Sequence, residues 1–114
     1  MVEFEIPLPP SVNHFYGQNG VRRFKTDEAK DWELEAGFMI RNQIKRIIEM
    51  KGKIDIRLEY YFKRERDLDN GIKPILDLLQ DMGFYKNDNQ VWSILAVKNF
   101  DKESPRVCVE ISEN

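Results

Sequence analysis

Hydrophobic and polar residues alternate along two stretches of the chain with the period of a strand that is buried on one face. Over residues 54–62 every even-numbered residue is apolar, which makes this the clearest strand in the sequence. Residues 2–8 show the same alternation, but Pro7 interrupts it and two more prolines follow, so we predict a short edge strand there. We predict two further strands over residues 91–98 and 106–111.

Two other stretches carry apolar residues at the spacing of a helix. Thr26 is placed to cap the first helix, which we predict to run to about Met50, before the stop signal of Gly52. Acidic residues lie early in this helix and basic residues lie late, which complements the helix dipole. The second helix is predicted to begin within residues 70–74, where a proline has no hydrogen bond to lose, and to end at Gly83.

The predicted elements follow the order β-α-β-α-β-β, which describes an α+β domain with a mixed sheet of about four strands and two main helices. Residues 9–25 are predicted to form a long loop between the first strand and the first helix. No linker, internal repeat or low-complexity tract divides the sequence, so residues 1–114 are expected to form one domain. Trp32 and Trp92 are assigned to its core.

The composition argues against several classes of protein. Cys108 is the only cysteine, so neither an intramolecular disulfide nor a cysteine-based zinc site can form, which suits a reducing compartment. The N-terminus lacks the basic and apolar regions of a signal peptide, and no apolar run approaches the roughly 20 residues of a membrane helix. We therefore expect a cytoplasmic protein that has no membrane partner.

The net charge of −2 does not by itself indicate a nucleic-acid-binding protein, but the charges are unevenly distributed. Residues 1–66 carry 13 basic and 11 acidic residues, whereas residues 67–114 carry 5 and 9. Basic clusters lie at residues 22–25 and 63–66, and the second cluster runs directly into an acidic pair. Such neighbouring opposite charges suit a site that holds a cation and an anion together. A solvated loop of mixed charge is the simpler explanation of the charges alone.

The acidic pair, Asp67 and Asp69, lies between the clearest strand and the second helix. In an extended chain these two side chains point the same way, which brings two carboxylates close together. Their repulsion opposes folding unless a cation binds, and Mg²⁺ prefers such oxygen ligands. Asp88 follows the second helix. The chain could bring it back near Asp67 there, but the sequence alone does not show that it does.

A polar stripe extends this arrangement along the second helix. Asp69, Lys73 and Asp77 recur at intervals of four residues, opposite the apolar face, and Asn70 lies beside them. In a functional interpretation Lys73 contacts a phosphate, and Asp77 supports the metal site or holds Lys73. In a structural interpretation Asp69 or Asn70 caps the helix, and Lys73–Asp77 is a surface ion pair that contributes roughly 0.3–0.5 kcal/mol.

The residues outside this stripe offer weaker candidates. His14, the only histidine, is open as a general base or as a polar loop residue. Tyr16 and Phe24 would either stack on DNA bases or attach the loop to the core. Cys108 has no neighbour in the sequence that would activate it, so we interpret it as a small strand residue and not a nucleophile. A Ca²⁺-binding EF-hand is excluded at residues 67–71, because the glycine is fifth in that run instead of sixth.

Two motifs resemble the RusA family of Holliday-junction resolvases. One is the run Asp67-Leu68-Asp69-Asn70 with Lys73, Asp77 and Asp88, and the other is Pro9-Pro10-Ser11-Val12-Asn13 with Tyr16 and the basic run before Thr26. The similarity covers nearly the whole chain. It implies a small homodimeric endonuclease of DNA recombination and repair, of a kind found in many phages and prophages. Such an enzyme uses Mg²⁺, with Mn²⁺ as a substitute, and nicks branched DNA, the four-way junction, symmetrically.

The resemblance also implies roles for individual residues. The residues that match the family's metal-binding and catalytic acids are Asp67, Asp69 and Asp88. Lys73 matches a functionally important lysine, and Asn70 and Asp77 are expected to support the site. The side chains expected to contact DNA are Asn13, Tyr16, Arg22, Arg23, Lys25, Lys63, Arg64, Arg66 and Lys73. Members often carry two adjacent acids where this chain has Asn87-Asp88, so the metal set is retained and the role of Asn87 is open.

The implied reaction is metal-assisted phosphodiester hydrolysis, in which Mg²⁺ polarises the scissile phosphate and Lys73 stabilises the developing charge. Three alternatives stay open. The first is a nucleic-acid-binding module that keeps the fold but does not cut DNA. The second is a metal phosphohydrolase with a closed pocket for a small phosphate. The third is a structural protein in which Asp69 and Asn70 only cap the helix.

Overall fold

A mixed sheet of four strands forms the centre of the fold in the computed structural model. The structure describes residues 1–20 and 22–114, without the side chains of Val12, Asn13, Asn19, Arg22 and Asn70. In chain order the described strands and α-helices are β1 (Val2–Ile6), α1 (Val12–Phe15), β2 (Tyr16–Asn19), β3 (Arg22–Lys25), α2 (Asp27–Gln43), β4 (Ile54–Phe62), α3 (Ile72–Asp81), β5 (Val91–Phe100) and β6 (Arg106–Glu113). The spatial order of the sheet is β1-β6-β4-β5. Strand β6 is antiparallel to β1 and β4, whereas β4 and β5 are parallel.

Both main helices, α2 and α3, pack on one face of this sheet. The even-numbered residues of β4 are buried, as are Val107, Val109 and Ile111 of β6, and the residues between them face outward. The core joins Trp32 of α2, Leu58 of β4 and Leu79 of α3. The predicted α+β class, the order of the main elements and the core position of Trp32 are therefore confirmed. No helix in the described residues is long and apolar enough to cross a membrane.

The segment predicted as a long loop contains secondary structure instead. Its described residues form one helical turn, α1, and an antiparallel hairpin of β2 and β3. Gly20 lies in the turn of the hairpin at φ 65°, a conformation that glycine adopts without strain. The hydroxyl of Thr26 closes the segment, because it donates to the carbonyl of His14 (2.7 Å) and accepts from the amide of Ala29 (3.2 Å).

The first main helix ends earlier than its hydrophobic pattern predicts. Helix α2 ends at Gln43, and the next residue, Ile44, is extended at φ −118° and ψ 110°. The Gln43 side chain exchanges hydrogen bonds of 2.7 and 2.8 Å with the backbone of Glu5, which holds the helix end against the edge strand β1. The prediction of a helix to Met50 is therefore wrong. Ile47 and Met50 still pack against the core, but from an irregular segment.

Strand β5 forms the second edge of the sheet, and the rest of the chain covers it poorly. Trp92, Leu95 and Phe100 are 66%, 53% and 56% exposed, and Ile94 is 39% exposed. The assignment of Trp92 to the core is therefore wrong, because its strand lies at the edge of the sheet and most of that strand's side chains stay exposed.

The outward face of the sheet is mainly acidic. Its acidic side chains are Glu3, Glu5, Asp55, Glu59 and Glu110. Arg57 and Arg106 lie on the same face, where Arg57 pairs with Glu59 (2.8 Å) and Arg106 pairs with Asp101 (3.0 Å). The two arginines therefore leave the face with an excess of negative charge.

Candidate active site

Asp67 and Asp69 lie in the connection between β4 and α3. Asp67 is extended, but a 3-10 turn over Leu68–Gly71 begins directly after it and includes Asp69. The assumption that the chain is extended through both residues is therefore wrong, and their i, i+2 spacing does not align the two side chains. Both residues are exposed. The hydroxyl of Tyr60 donates to the carbonyl of Gly71 (2.9 Å), which holds the turn against β4.

Neither of these aspartates caps a helix. Gly71 is the N-cap of α3, and among the described side chains none makes a capping hydrogen bond to α3 or to the 3-10 turn before it. Helix α3 begins at Ile72, within the predicted range. The structural interpretation of Asp69 as a cap is therefore wrong. The side chain of Asn70 lies outside the described residues.

Three polar side chains meet on the surface of α3. Lys73 Nζ lies 3.3 Å from Asp77 Oδ1, and the hydroxyl of Tyr16 donates to Asp77 Oδ2 (3.1 Å). The side chain of Lys73 is 62% exposed, whereas that of Asp77 is 24% exposed. Asp77 therefore holds Lys73 while leaving the ammonium group accessible to a ligand. Burial, and next the hydrogen bond to Asp77, raise the pKa of Tyr16, so Tyr16 remains a donor at neutral pH.

Tyr16 also attaches the β2–β3 hairpin to the body of the molecule. Its ring packs edge-on against the buried Phe15, with centroids 4.9 Å apart, and the guanidinium of Arg23 lies 4.4 Å from its centroid. A ring held in this way is poorly available for stacking on a base, so the structure favours the anchoring interpretation of Tyr16. Phe24, in contrast, is 45% exposed, and its stacking role stays a prediction.

Asp88 lies beyond the other end of α3. It begins a 3-10 turn over Asp88–Gln90, which Asn87 caps by accepting from the amide of Asn89 (3.0 Å). In return, the side chain of Gln90 accepts from the amide of Asn87 (3.2 Å), which completes a capping box. Asn87 therefore supports the backbone that carries Asp88, and Asp88 itself is exposed.

The hydroxyl of Tyr85 binds α3 and also senses the charge of Asp88. Its hydroxyl donates to the carbonyl of Leu76 (2.6 Å). Burial raises the pKa of Tyr85, and the negative charges of Asp88, Asp77 and Asp81 raise it further. The charges of these three acids therefore all favour the protonated hydroxyl of Tyr85. Sequence analysis did not select Tyr85, because no signal in the sequence distinguishes it from an ordinary core aromatic.

The three predicted metal ligands are not gathered into one cluster within this chain. Helix α3, whose ten residues span about 15 Å, separates Asp67 and Asp69 at its start from Asp88 after its end. Within residues 1–20 and 22–114, no three Asp, Glu, His or Cys side chains converge closely enough to hold a metal ion. Their assignment as ligands stays a prediction.

The donor chemistry of these carboxylates nevertheless fits a hard cation. All three are exposed, and in the described ion pairs no basic side chain neutralises Asp67, Asp69 or Asp88. Carboxylate oxygens that keep access to water are the ligands that Mg²⁺ takes in proteins. Asp77 differs from them, because its two carboxylate oxygens already accept hydrogen bonds from Lys73 and Tyr16.

The basic side chains predicted to contact DNA differ in their availability. Those that are exposed are Arg23, Lys63, Arg64 and Lys73. Lys25 pairs with Glu33 (2.9 Å), and the half-buried Arg66 donates to the carbonyl of Pro9. Burial lowers the pKa of Arg66, which indicates that its charge is partly removed from water. The predicted contacts whose side chains lie outside the described residues are Asn13 and Arg22.

Two further candidates are distinct from this arrangement. His14 is exposed in α1, and its side chain makes no hydrogen bond to the described residues. Cys108 lies in β6, where burial and then the charge of Glu5 raise the pKa of its thiol. A thiol that is held protonated is a poor nucleophile, so the structure favours the interpretation of Cys108 as a strand residue.

Comparisons with known proteins extend the resemblance noted from the motifs. The family model described as Endodeoxyribonuclease RusA matches residues 7–112. A crossover junction endodeoxyribonuclease RusA from Aquifex aeolicus (strain VF5) is 32% identical over 108 residues, which cover 94% of this chain and 85% of the relative. The protein of that name from Enterobacteria phage HK97 is 29% identical over 113 residues, which cover 97% of this chain and 93% of the relative. The matches span the segment that carries all the predicted metal ligands.

Proposed function

This chain belongs to the RusA family of endodeoxyribonucleases, and from that premise we propose that it resolves four-way DNA junctions by metal-dependent hydrolysis of phosphodiester bonds. The observation that carries the proposal is the family match over residues 7–112, a range that includes the exposed Asp67, Asp69 and Asp88. The names of the two relatives describe enzymes that act at crossover junctions, so branched DNA is the proposed substrate.

Mg²⁺ is the proposed metal, with Mn²⁺ as a substitute. Asp67, Asp69 and Asp88 are proposed to supply its ligands, although within one chain α3 separates Asp88 from the other two. When bound, the cation would polarise the scissile phosphate and lower the pKa of a water molecule that attacks it. The support for this assignment is the exposure of the three carboxylates and their lack of basic partners among the described ion pairs.

Lys73 is proposed to stabilise the negative charge that grows on the phosphate oxygens during cleavage. Its ammonium group is exposed and is held by Asp77, which in turn accepts from Tyr16. Asp77 and Tyr16 are therefore proposed as positioning residues, because they act through Lys73 and not on the DNA itself.

The exposed side chains of Arg23, Lys63 and Arg64 are the best placed of the proposed DNA contacts. Contacts to phosphates position a duplex without reading its sequence, which suits an enzyme that selects a branched shape. Paired symmetric nicks require two sites in twofold relation, so we propose a homodimer with C2 symmetry.

Three observations weigh against the alternatives. A binding module that does not cut would gain nothing from exposed acids that repel phosphate. A hydrolase of small phosphates needs a closed pocket, whereas Asp67, Asp69 and Asp88 all face solvent. A purely structural role for Asp69 was argued from helix capping, and Gly71 occupies that position.

The test is a nicking assay on a labelled four-way junction and a matched linear duplex, with Mg²⁺ or with a chelator. We expect paired nicks in the junction that require the metal, and a loss of at least roughly 100-fold in rate for Asp69→Asn. Asp31→Asn is the matched control. Asp31 is an exposed acid in α2 that is not among the proposed metal ligands, so we expect this variant to cut at the wild-type rate.

Two outcomes of this assay would contradict the proposal. If the wild-type protein binds the junction but leaves it intact with Mg²⁺ or Mn²⁺, the chain is a binding module. If Asp69→Asn cuts as fast as the wild type, the assigned metal ligands are wrong.

A further inference from the structure

The outer edge of β5 is open to another strand. Strand β5 is ten residues long, is bonded to β4 on one side and is last in the order of the sheet. Such an edge presents a row of backbone N–H and C=O groups, which native proteins usually protect with charges, prolines or a covering segment. Val91–Phe100 contains no proline and one charge, Lys98, which pairs with Glu65 of the same chain.

The side chains of β5 are apolar and exposed on both faces of the sheet. The register with β4 places Ile94 and Phe100 on the helix-covered face and Leu95 on the outward face. With Trp92, these side chains leave about 400 Å² of apolar surface exposed in each copy, if a buried aromatic covers roughly 150–250 Å². Exposed apolar side chains on both sides of an unpaired strand edge indicate an interaction surface.

We propose that a second copy of this chain binds here, with the two β5 strands paired antiparallel across a twofold axis. The inference rests on the proposed homodimer and assigns its interface to the β5 edge, defined by Trp92, Ile94, Leu95 and Phe100. The sheet then continues through eight strands. Two copies bring together about 800 Å² of apolar side-chain surface, and the paired backbones add enough to approach the roughly 1,200 Å² of a stable interface.

The properties of β5 favour a second copy over a different partner. An antiparallel pair of identical strands obeys twofold symmetry, so one surface serves both copies. The pairing brings Trp92, at the start of one strand, toward Phe100 at the end of the other. The charge of Lys98 is paired within its own chain, so the strand itself brings no unpaired like charges together. The ammonium group of Lys53 lies 4.0 Å from the ring centroid of Trp92, at the end of the edge, where antiparallel pairing keeps the two copies of Lys53 apart.

A second exposed apolar pair provides a matched control. Leu34 and Phe38 lie one turn apart on α2 and are 74% and 67% exposed. The backbone groups of a helix interior are already bonded, so this surface lacks the unpaired edge that makes β5 a template for a strand. It is therefore the best rival interface that the described residues offer.

The experiment is sedimentation equilibrium of the wild type, Leu95→Glu and Leu34→Glu, with circular dichroism as a check of folding. We expect a wild-type dimer, a dissociation constant at least roughly 100-fold weaker for Leu95→Glu, and an unchanged dimer for Leu34→Glu. Ile94→Lys, on the other face of β5, replaces Leu95→Glu if that variant does not fold, and it should weaken the dimer similarly.

A wild-type protein that stays monomeric at about 100 μM overturns the inference. So does a dimer that the folded β5 variant preserves, whether or not Leu34→Glu breaks it. These outcomes are separate from those of the proposed function, because sedimentation does not depend on cleavage. A dimer that does not cut DNA would contradict only the nuclease proposal. A monomer that cuts would contradict the interface and the proposed homodimer but not the nuclease activity.

Discussion

At the scale of single residues, three tyrosines keep their protons because of their surroundings. Tyr60 and Tyr85 donate to the carbonyls of Gly71 and Leu76, and Tyr16 donates to Asp77. Burial is the largest cause that raises the pKa of each hydroxyl above its ordinary value of 10.0. The turn before α3, the segment after α3 and the hairpin are thus each attached through a tyrosine hydroxyl that must stay protonated.

Because these tyrosines must stay protonated, we expect the folded protein to lose stability at high pH. In the unfolded chain they lose their protons near pH 10, whereas in the folded protein they retain them, so the unfolding free energy should fall as the pH rises above about 10. Urea unfolding between about pH 9 and pH 12 measures the change. Tyr85→Phe should lower stability at neutral pH by about 1 kcal/mol and make the alkaline decline shallower. A stability that stays constant over this range would contradict the argument.

Asp77 shows how far sequence reasoning reaches at this scale. Its contact with Lys73 was predicted, because residues four apart on a helix are neighbours. Its hydrogen bond with Tyr16 was not predicted, because the two residues are 61 positions apart and only the folded hairpin brings them together.

At the scale of elements, the 3-10 turn that carries Asp88 depends on the cap at Asn87. We expect Asn87→Ala to lower the unfolding free energy by about 1 kcal/mol, since the amide of Asn89 loses its acceptor. Asn87→Asp keeps an acceptor of the same shape and should change stability by less than about 0.5 kcal/mol. Urea unfolding of both variants tests the pair, and equal stabilities for Asn87→Ala and the wild type would show that the cap contributes nothing.

The elements that the sequence predicts correctly are those whose own residues determine them. Strand β4 alternates without exception, and Thr26 caps α2 as expected. The β2–β3 hairpin was missed because its strands do not alternate, although Asn19-Gly20 is a known turn signal. The end of α2 was predicted wrongly because the residues after Gln43 also contact the core. Their apolar side chains continue the helical spacing beyond the last residue of the helix.

At the scale of the whole molecule, the sequence supplied the acids of the candidate site but not their separation. Asp67 and Asp88 are 21 positions apart, and the length and direction of α3 decide how far apart they lie. Likewise, the exposure of Trp92 depends on which strand of the sheet lies at its edge, and no local pattern encodes that order.

Metal binding should stabilise the folded molecule as a whole. A ligand present at about 100 times its dissociation constant adds about 2.7 kcal/mol to the unfolding free energy. We therefore expect Mg²⁺ to raise the melting temperature of the wild type and of Asp31→Asn, and to have little effect on Asp69→Asn. Thermal unfolding with and without Mg²⁺ measures this without any DNA. Equal shifts for all three proteins would show that Asp69 is not a ligand.

The acidic outward face of the sheet has a consequence for how the molecule meets a polyanion. In a dimer joined through β5, the twofold axis is perpendicular to the sheet, so both acidic faces lie on the same side. A nucleic acid diffusing toward that side is repelled before it touches the protein. Productive encounters are therefore confined to the opposite side, where Tyr16 ties the hairpin that carries Arg23 to α3. Counterions screen this repulsion beyond about 8–10 Å. Added salt should therefore let the nucleic acid approach either side of the dimer more equally.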